Sequence, residues 1–339
     1  MKGTSVESTH STQTTHSKEI PEPLSFTGRV AIVTGAGRGM GLAHAELLAR
    51  RGAQVVLNDL GTETLTGGTT STSVAVEAAS RLRDEGLDVI ASTDSVATLE
   101  GAQRIIDCAI NEWGRVDAVI HNAALTRYAP LSELTPDEYH RVREVSLDGA
   151  MYLTMAAWPH MQEQRFGRFV FITSTAGLLG ETGNAAYAAA KTGLLGLARV
   201  MRVEGEASGI SANLLGVAAY TRMTQTMFAD KHAHGTEAAE GWWKKYMRSS
   251  AVAPVAAYLA HEDCTASGEI FDTKGGHVEH LFLGSTAGYT TLDLTPEDVR
   301  DNWQQIIDQS DYGVHRTAWD SGRAHFDAIV RAGADPLPV

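Results

Sequence analysis

Six short runs of apolar and β-branched residues recur along the chain, and stretches with a helical pattern separate them. The runs lie at residues 29–33, 54–58, 88–92, 117–121, 168–172 and 211–215. Strands that alternate with helices pair in parallel, because each helix carries the chain back across a face of the sheet. The sequence therefore predicts a doubly wound α/β fold, with one central parallel sheet covered by helices on both faces.

The predicted α/β domain spans residues 25–276 and forms a single domain with a C-terminal extension at 277–339. Residues 1–24 are rich in Ser, Thr and His and have no hydrophobic period, so burial could not offset the entropy lost on ordering them. We expect a flexible tail there. Within the domain we expect a substrate cap at 221–250 and a mobile loop at 60–73, where Gly, Thr and Ser are abundant.

The composition limits the partners of the chain. A formal net charge of −13 at pH 7 opposes binding to nucleic acid or to anionic lipid. The sequence has no apolar run of the roughly 18 residues that a membrane span needs, and no signal-peptide pattern at its start. We therefore expect a cytoplasmic protein with a small-molecule partner. Cys108 and Cys264 are too few for a disulfide framework, and no cluster with metal-ligand spacing suggests a metal.

A glycine-rich turn follows the first predicted strand. The residues Thr34-Gly35-Ala36-Gly37-Arg38-Gly39-Met40-Gly41 lead directly into a helical pattern. Such glycines let the backbone turn tightly and bring amide donors and a helix N-terminus against a pyrophosphate. The order of strand, turn and helix predicts a dinucleotide site of the Rossmann type.

Asp59 follows the second predicted strand and bears on the choice of cofactor. A carboxylate at this position can accept hydrogen bonds from both ribose hydroxyls of NAD and repels the 2′-phosphate of NADP. Arg38 argues for the opposite choice, since its guanidinium could pair with a 2′-phosphate. We give Asp59 the greater weight and predict NAD.

Tyr187 and Lys191 lie four residues apart in an alanine-rich helical stretch, so they share one face of a helix. A neighbouring cation stabilises a phenolate and should lower the pKa of the tyrosine, which could then exchange a proton with an alcohol oxygen. Ser174 follows the fifth predicted strand, at the edge of the sheet where ligands of such folds bind. Its hydroxyl could hold a carbonyl oxygen.

Four motifs together resemble the short-chain dehydrogenase/reductase family over about residues 26–275. They are the TGxxxGxG pattern at 34–41, Asn122-Ala123, Ser174 and Tyr187xxxLys191. The resemblance implies an enzyme that interconverts a secondary alcohol and a ketone. In such an enzyme Tyr187 is the acid/base, Lys191 holds the nicotinamide ribose and lowers the tyrosine pKa, and Ser174 orients the substrate.

The resemblance also implies a cofactor cleft, in which Asp94 meets the adenine and Asn122 braces the central strand. The residues predicted to bind the cofactor are Gly35, Arg38, Gly39, Met40, Gly41, Asp59, Leu60, Asp94, Ser95, Asn122, Ala123, Tyr187, Lys191, Val217 and Thr221.

Three positions depart from the family pattern. Ala124 stands where the Asn-Ala-Gly motif has its glycine, and Val217-Ala218 replaces a Pro-Gly. Ser146 stands where the family has the Asn of a proton relay that runs through a helix carbonyl and water. We count Ser146 with Ser174, Tyr187 and Lys191 as the fourth predicted catalytic residue.

Within the family, four segments are similar to the dehydrogenase part of the type 2 peroxisomal multifunctional enzymes. They are residues 58–61, 94–96, 222–226 and 294–297. That part is a 3-hydroxyacyl-CoA dehydrogenase, also described as a 17β-hydroxysteroid dehydrogenase. The resemblance leaves both substrate classes open.

The predicted cap is rich in aromatic residues and methionine, including Met223, Met227, Phe228, Trp242 and Trp243, which suits a large apolar pocket. A CoA thioester would need local cations to offset the net charge of −13. We therefore expect a bulky, mostly apolar substrate, such as a hydroxysteroid or another cyclic alcohol. A 3-hydroxyacyl-CoA is the alternative.

A non-catalytic NAD-binding sensor or scaffold is a further alternative, because the changes at Ser146, Ala124 and Val217 would permit it. The complete set of Ser174, Tyr187 and Lys191 argues against that role, since a pure binder needs no proton chemistry. The helices predicted within 136–163 and 186–207 carry more apolar surface than one sheet face can cover. Family members pair through such helices, so we expect a homodimer or homotetramer.

Overall fold

The computed structural model describes residues 22–229 and 236–336. Most of the predicted tail, and residues 230–235 of the predicted cap, lie outside the described residues. In chain order the elements are β1 (Val30–Thr34), α1 (Gly39–Arg50), β2 (Gln54–Asn58), β3 (Thr62–Thr64), β4 (Gly67–Thr70), α2 (Ser73–Asp84), β5 (Val89–Ser92), α3 (Leu99–Trp113), β6 (Ala118–His121), α4 (Pro136–Arg143), a π-helical turn (Glu144–Asp148), α5 (Gly149–Gln164), β7 (Gly167–Thr173), α6 (Thr175–Leu179), α7 (Ala185–Gly205), a 3₁₀ turn (Glu206–Ser208), β8 (Ile210–Ala218), α8 (Arg222–Ala229), α9 (Glu237–Tyr246), α10 (Ser249–Ala260), β9 (Ile270–Lys274), β10 (His277–Leu281), β11 (Ser285–Thr286), α11 (Pro296–Asp301), α12 (Trp303–Ile306), β12 (Tyr312–Gly313) and α13 (Ala318–Arg331).

Eight strands form the central sheet, in the order β10-β9-β8-β7-β6-β1-β2-β5. All neighbours from β5 to β9 pair in parallel, and β10 pairs antiparallel with β9. The six predicted strands correspond to β1, β2, β5, β6, β7 and β8, so the prediction of a doubly wound α/β fold is confirmed. The chain crosses from β5 to β6 over β1 and β2, which creates a switch point between β1 and β6, the place where such sheets bind ligands.

Alternate side chains of each inner strand enter two apolar layers. In β1, Ala31 and Val33 join the layer formed with α1, α2 and α10, whereas Val30 and Ile32 join the layer formed with α3, α5 and α7. This alternation follows from the two-residue period of a strand. It also directs the last residues of β1 and β6 toward the layer of α5 and α7, at the carboxyl edge where the switch point lies.

Two hairpins lie where the sequence suggested none. The segment at 60–73, predicted to be a mobile loop, contains the antiparallel pair β3 and β4. The sheet also continues past residue 276, because β9 turns back into β10, so the predicted C-terminal extension begins with a strand of the central sheet. Gly275 and Gly276 make that turn at φ values of 55° and 91°, which glycine tolerates. Within the described ranges, no helix is both long and apolar enough to cross a membrane.

His44 in α1 is buried, and among the described residues neither of its ring nitrogens has a hydrogen-bond partner. Burial lowers the pKa of this imidazole to about 4, because the interior cannot solvate the charged ring. In the unfolded chain the same group takes up a proton near pH 6.5. The free energy of unfolding therefore falls as the pH drops from about 6.5 to about 4.

His44→Leu should remove up to about 3 kcal/mol of this loss on the acid side. At neutral pH the variant should be at least as stable as the native chain, because leucine is similar in size and leaves no polar group unpaired. Urea unfolding at neutral pH and near pH 5 measures both effects. His140→Leu, at an exposed position of α4, is the control and should leave the pH dependence unchanged. An equal acid-side loss in His44→Leu and the native chain would contradict the prediction.

Candidate active site

The turn between β1 and α1 is packed so closely that it admits no side chain at its key glycines. Gly35 has a φ of 62°, and a Cβ there would lie 2.9 Å from the Cα of Ala123. A Cβ on Gly41 would lie 2.2 Å from the carbonyl oxygen of Gly35. Arg38 precedes α1 and makes no side-chain capping bond, so the first amides of the helix keep their hydrogen-bonding capacity. This backbone cradle fits a pyrophosphate.

Thr34 and Asn122 join the turn after β1 to the turn after β6. The Asn122 Nδ2 donates to the carbonyl oxygens of Thr34 and Gly35, at 3.1 and 3.0 Å. In return, the Thr34 Oγ1 accepts from the backbone N–H groups of Asn122 and Ala123, at 3.2 and 3.1 Å. These four bonds fix the two strand ends that flank the switch point. Thr34 was absent from the predicted site, although it opens the glycine motif.

The Asp59 carboxylate is held at the carboxyl end of β2 by the backbone on either side. Its Oδ2 accepts from the Gly37 N–H at 2.9 Å, and its Oδ1 accepts from the Gly61 N–H at 2.7 Å. Each oxygen keeps a second lone pair for a ribose hydroxyl. Arg38 is exposed on the rim of the same cleft.

A cleft of about 370 Å³ lies at the switch point and gathers most of the predicted cofactor residues. Those on its walls are Gly35, Arg38, Gly39, Met40, Asp59, Leu60, Asp94, Ser95, Asn122, Ala123 and Thr221. Of the remaining ones, Gly41 underlies the turn, Val217 packs against an apolar layer, and Tyr187 and Lys191 are buried in α7. The glycine cradle and the Asp59 carboxylate together fit a nicotinamide dinucleotide.

Several walls of this cleft were missing from the predicted site. The hairpin of β3 and β4 lines one side, and its Leu65 carbonyl accepts from the Thr126 N–H at 3.0 Å. The Arg222 Nη1 donates to the Glu63 carbonyl oxygen at 3.2 Å, which ties the hairpin to the start of the cap. Asn58 contributes an amide that donates to the Asp94 carbonyl oxygen at 2.9 Å. The glycines and threonines that suggested a loop in the sequence thus form a paired hairpin in the structure.

Ser174, Tyr187 and Lys191 meet where β7 ends and α7 begins. Ser174 follows β7 and caps α6, with its Oγ accepting from the Ala176 N–H at 3.2 Å. Tyr187 and Lys191 lie in the first two turns of α7, both buried. The Lys191 Nζ lies 5.6 Å from the centre of the Tyr187 ring and donates to the Ile172 carbonyl oxygen at 2.6 Å.

The electrostatics of this group differ from the expectation drawn from the sequence. Burial raises the pKa of the Tyr187 phenol, the charges of Tyr128 and Glu181 raise it further, and a hydrogen bond with Ser174 acts in the opposite direction. Burial also lowers the pKa of Lys191 to about 7. Lys191 is not among the groups that shift the pKa of Tyr187, and its Nζ is bonded to the Ile172 carbonyl. The Tyr187 phenol is therefore protonated at neutral pH.

Ser146 lies in the π-helical turn between α4 and α5 and is fully buried. Its Oγ accepts from the Leu125 N–H at 3.2 Å and lies 3.5 Å from the Leu125 carbonyl oxygen. The hydroxyl thus fastens the π-helical turn to the loop after β6. It is engaged with this backbone rather than with Tyr187 or Lys191.

The cap packs over the end of β8 through α8 and α9. The Tyr220 N–H donates to the Met247 carbonyl oxygen at 2.6 Å, and the rings of Phe228 and Trp243 lie 5.7 Å apart. Part of the aromatic cluster predicted to line a pocket thus packs within the cap itself. Lys245 and Arg248 are exposed and have no acidic partner among the described residues.

Comparisons with known proteins agree with this geometry. The model of the short chain dehydrogenase family matches residues 29–232. The peroxisomal multifunctional enzyme type 2 of Mus musculus is 35% identical over 303 residues, which are 88% of this chain and 39% of that protein. The solved structure of the full-length peroxisomal multifunctional enzyme type 2 of Drosophila melanogaster superposes with a TM-score of 0.73 at 26% identity, over 91% of this chain and 50% of that one.

A solved gluconate 5-dehydrogenase of Burkholderia cenocepacia, in complex with NADP and tartrate, superposes with a TM-score of 0.64 at 29% identity, over 74% of this chain and 96% of that one. The chain thus spans less than two thirds of the multifunctional enzymes that it resembles, 39% of the mouse protein and 50% of the fly protein. These matches show that the chain belongs to the short-chain dehydrogenase/reductase family, whose members are oxidoreductases that use a nicotinamide cofactor.

Proposed function

We propose that the chain is an NAD-dependent dehydrogenase that interconverts 3-hydroxyacyl-CoA and 3-oxoacyl-CoA. The observation that carries the reaction type is the meeting of Ser174, Tyr187 and Lys191 beside a glycine cradle at the switch point. A bound nicotinamide dinucleotide supplies the hydride acceptor for the alcohol, or the hydride donor for the ketone.

The side chains of this site divide the proton chemistry. In the direction of reduction, the Tyr187 phenol is protonated, because its pKa is raised, and it donates that proton to the oxygen of the reacting carbonyl. The Ser174 hydroxyl holds the same oxygen. Lys191 has N–H groups left for a ribose hydroxyl beside its bond to the Ile172 carbonyl.

Tyr187→Phe should abolish most turnover and leave binding of NADH intact, because only the phenolic proton is removed. The expected loss is on the order of 10²–10⁴-fold, the usual contribution of a positioned acid or base. Turnover of an acyl-CoA and the fluorescence of bound NADH measure the two properties separately. Tyr258→Phe, at an exposed position of α10, is the matched control and should change neither. Near-normal turnover in Tyr187→Phe would assign the proton transfer to another group, whereas no turnover by the native chain would favour the sensor or scaffold.

The choice of acyl-CoA reverses the order of substrates expected from the sequence. The relatives are multifunctional peroxisomal enzymes, whose dehydrogenase part the sequence also resembles, and this supports the thioester over a steroid. The net negative charge of the chain argues against a CoA thioester, but local cations could offset it. Lys245 and Arg248 are exposed at the end of the cap and have no acidic partners in the described chain. Lys244 differs, because its Nζ forms an ion pair with Glu240 at 2.8 Å.

Lys245→Ala should raise the KM for the CoA thioester by roughly three- to tenfold, because a phosphate loses one exposed cation, an effect of about 1 kcal/mol. The KM for the same acyl group on N-acetylcysteamine, which lacks the phosphates, should not change. Added salt should shrink the difference between the two thioesters. Lys244→Ala is the control, since that lysine is neutralised by Glu240. Equal effects of Lys245→Ala on both thioesters would contradict the phosphate contact.

For the cofactor, we propose NAD, because the Gly37 and Gly61 amides hold the Asp59 carboxylate at the carboxyl end of β2, where it could accept from the ribose hydroxyls. The related gluconate 5-dehydrogenase structure holds NADP, so the family alone does not favour NAD. Asp59→Asn should narrow the ratio of kcat/KM for NAD over NADP by roughly tenfold, which corresponds to about 1.4 kcal/mol. Asp84→Asn, exposed at the end of α2, is the control. Equal kcat/KM with both cofactors in the native chain would refute the assignment.

We further propose that a second copy of the chain covers the outer face of α5 and α7. A groove of about 930 Å³ runs between these helices, and its walls include exposed Met151, Met155 and Val200. Exposed apolar surface of this extent is costly in water and typical of an interface.

The cytoplasmic location stays a prediction, since the relatives' names place them in peroxisomes.

A further inference from the structure

A cleft of about 540 Å³ lies between the second half of α7 and the C-terminal extension. One wall carries Arg199 and Arg202 of α7, which are three residues apart and so share a helix face. The opposite wall carries Arg316 and the start of α13, where Thr317 caps the helix. Arg202 lies about 22 Å from Tyr187 along the axis of α7. The cleft is therefore remote from the site proposed for catalysis.

Arg202 is only 9% exposed, yet it makes no hydrogen bond with any described residue. Its Nη1 lies 3.7 Å from the Glu269 Oε1, an ion pair beyond hydrogen-bonding distance. The other oxygen of that carboxylate lies 3.1 Å from the His280 Nε2. Gly268 makes room for the arginine, because a Cβ there would lie 2.9 Å from the Arg202 Cδ. The wall of the cleft thus holds a buried guanidinium whose donors lack an acceptor, which is costly.

Two further guanidinium groups face the same cleft. The Arg199 Nε is buried and has no hydrogen-bond partner among the described residues. Arg316 is exposed and forms no ion pair within the described ranges. Burial lowers the pKa of Arg202, and the charges of Arg316 and Arg199 lower it further. Three cations therefore repel one another here, and a bound anion would relieve that repulsion.

The carboxylates around the cleft do not satisfy these arginines. Glu269 and Asp320 counteract the repulsion at Arg202 in part. Asp320, however, accepts from the Thr317 N–H at 3.0 Å and so serves the cap of α13. Glu204 lines the cleft but is exposed and forms no ion pair with a described residue. The donors of the arginines are thus open to the oxygens of a ligand.

We propose that this cleft binds a phosphoryl group, either as inorganic phosphate or as part of a small organic phosphate. The planar fork of a guanidinium matches phosphate oxygens, and several such forks suit a dianion. The positive end of α13 adds to the attraction. Val200, Val203 and Leu283 supply an apolar wall for the organic part of a ligand. A phosphoryl group bound here would join α7 to the C-terminal extension.

Calorimetric titration of the full chain with inorganic phosphate tests the site directly. Saturating NADH keeps the glycine cradle occupied, and chloride holds the ionic strength constant. We expect saturable binding with a Kd below about 1 mM, together with a Tm that rises as phosphate is added. Phenyl phosphate separates the two sources. Binding at least about threefold tighter than phosphate indicates an organic ligand on the apolar wall, and equal binding indicates phosphate itself. Binding of neither anion would overturn the proposal.

Two arginine variants locate the bound phosphate. Arg316→Gln and Arg199→Gln should each weaken phosphate binding about tenfold, because each removes one charged contact. Without phosphate neither variant should lower Tm, since each removes a cation that repels Arg202. Arg331→Gln, exposed in the last turn of α13, is the matched control and should leave the affinity unchanged. A fall of Tm in both arginine variants with unchanged affinity would mean a structural role and would refute the site.

Two other results would place the anion or the arginines elsewhere and would also overturn the proposal. Loss of phosphate binding in Arg38→Gln, but not in Arg316→Gln, would assign the phosphate to the cofactor cleft. A lower mass of Arg199→Gln and Arg316→Gln by light scattering, with no effect of phosphate on Tm, would mean that carboxylates of a second copy fill the cleft. These readouts need no turnover, so they stand whether or not the chain oxidises a 3-hydroxyacyl-CoA.

Discussion

The hydroxyl of Thr34 is the point on which the site depends. It accepts the backbone amides of Asn122 and Ala123 and faces the His121 Nδ1, so one side chain joins the ends of β1 and β6. The Asn122 amide returns two bonds to the turn after β1. Because Gly35 and Gly41 of that turn leave no room for a Cβ against Ala123 and the Gly35 carbonyl, the cradle is held closely against the end of β6. A buried hub of this kind is rigid, since every group in it has few alternatives.

Local sequence pattern predicted those parts of the fold that depend on period and on backbone freedom. The apolar runs between helical stretches predicted six strands, namely β1, β2, β5, β6, β7 and β8. The glycine pattern that includes Gly35 and Gly41 predicted the tight turn after β1. The hairpin of β3 and β4 escaped prediction because Gly and Thr favour both loops and paired strands, and only contacts from Thr126 and Arg222 decide between them. Strand β10 escaped it because pairing with β9 is a tertiary event.

The sequence predicted the residues of the site more readily than their protonation states. The spacing of Tyr187 and Lys191 placed them on one helix face. Their pKa values depend in addition on burial, which removes solvent, and on the positions of nearby charges. Burial raises the pKa of Tyr187, and the charges of Tyr128 and Glu181 raise it further, although a hydrogen bond with Ser174 opposes them. The phenol is therefore protonated in this state, as the proposed reduction of a ketone requires.

Ser146 and His121 show why a substitution is hard to interpret from one position. The serine occupies the place of a relay residue, yet its short side chain reaches only the Leu125 backbone, where it secures the π-helical turn. The imidazole of His121 interacts with the Val145 and Ser146 backbone of that turn and with the Thr34 hydroxyl. The serine thus holds the turn to the loop after β6, and the histidine joins the turn to the ends of β1 and β6. Because both contacts are buried, an apolar side chain in place of Ser146 would leave the Leu125 N–H unpaired, and one in place of His121 would leave the Thr34 hydroxyl without this partner.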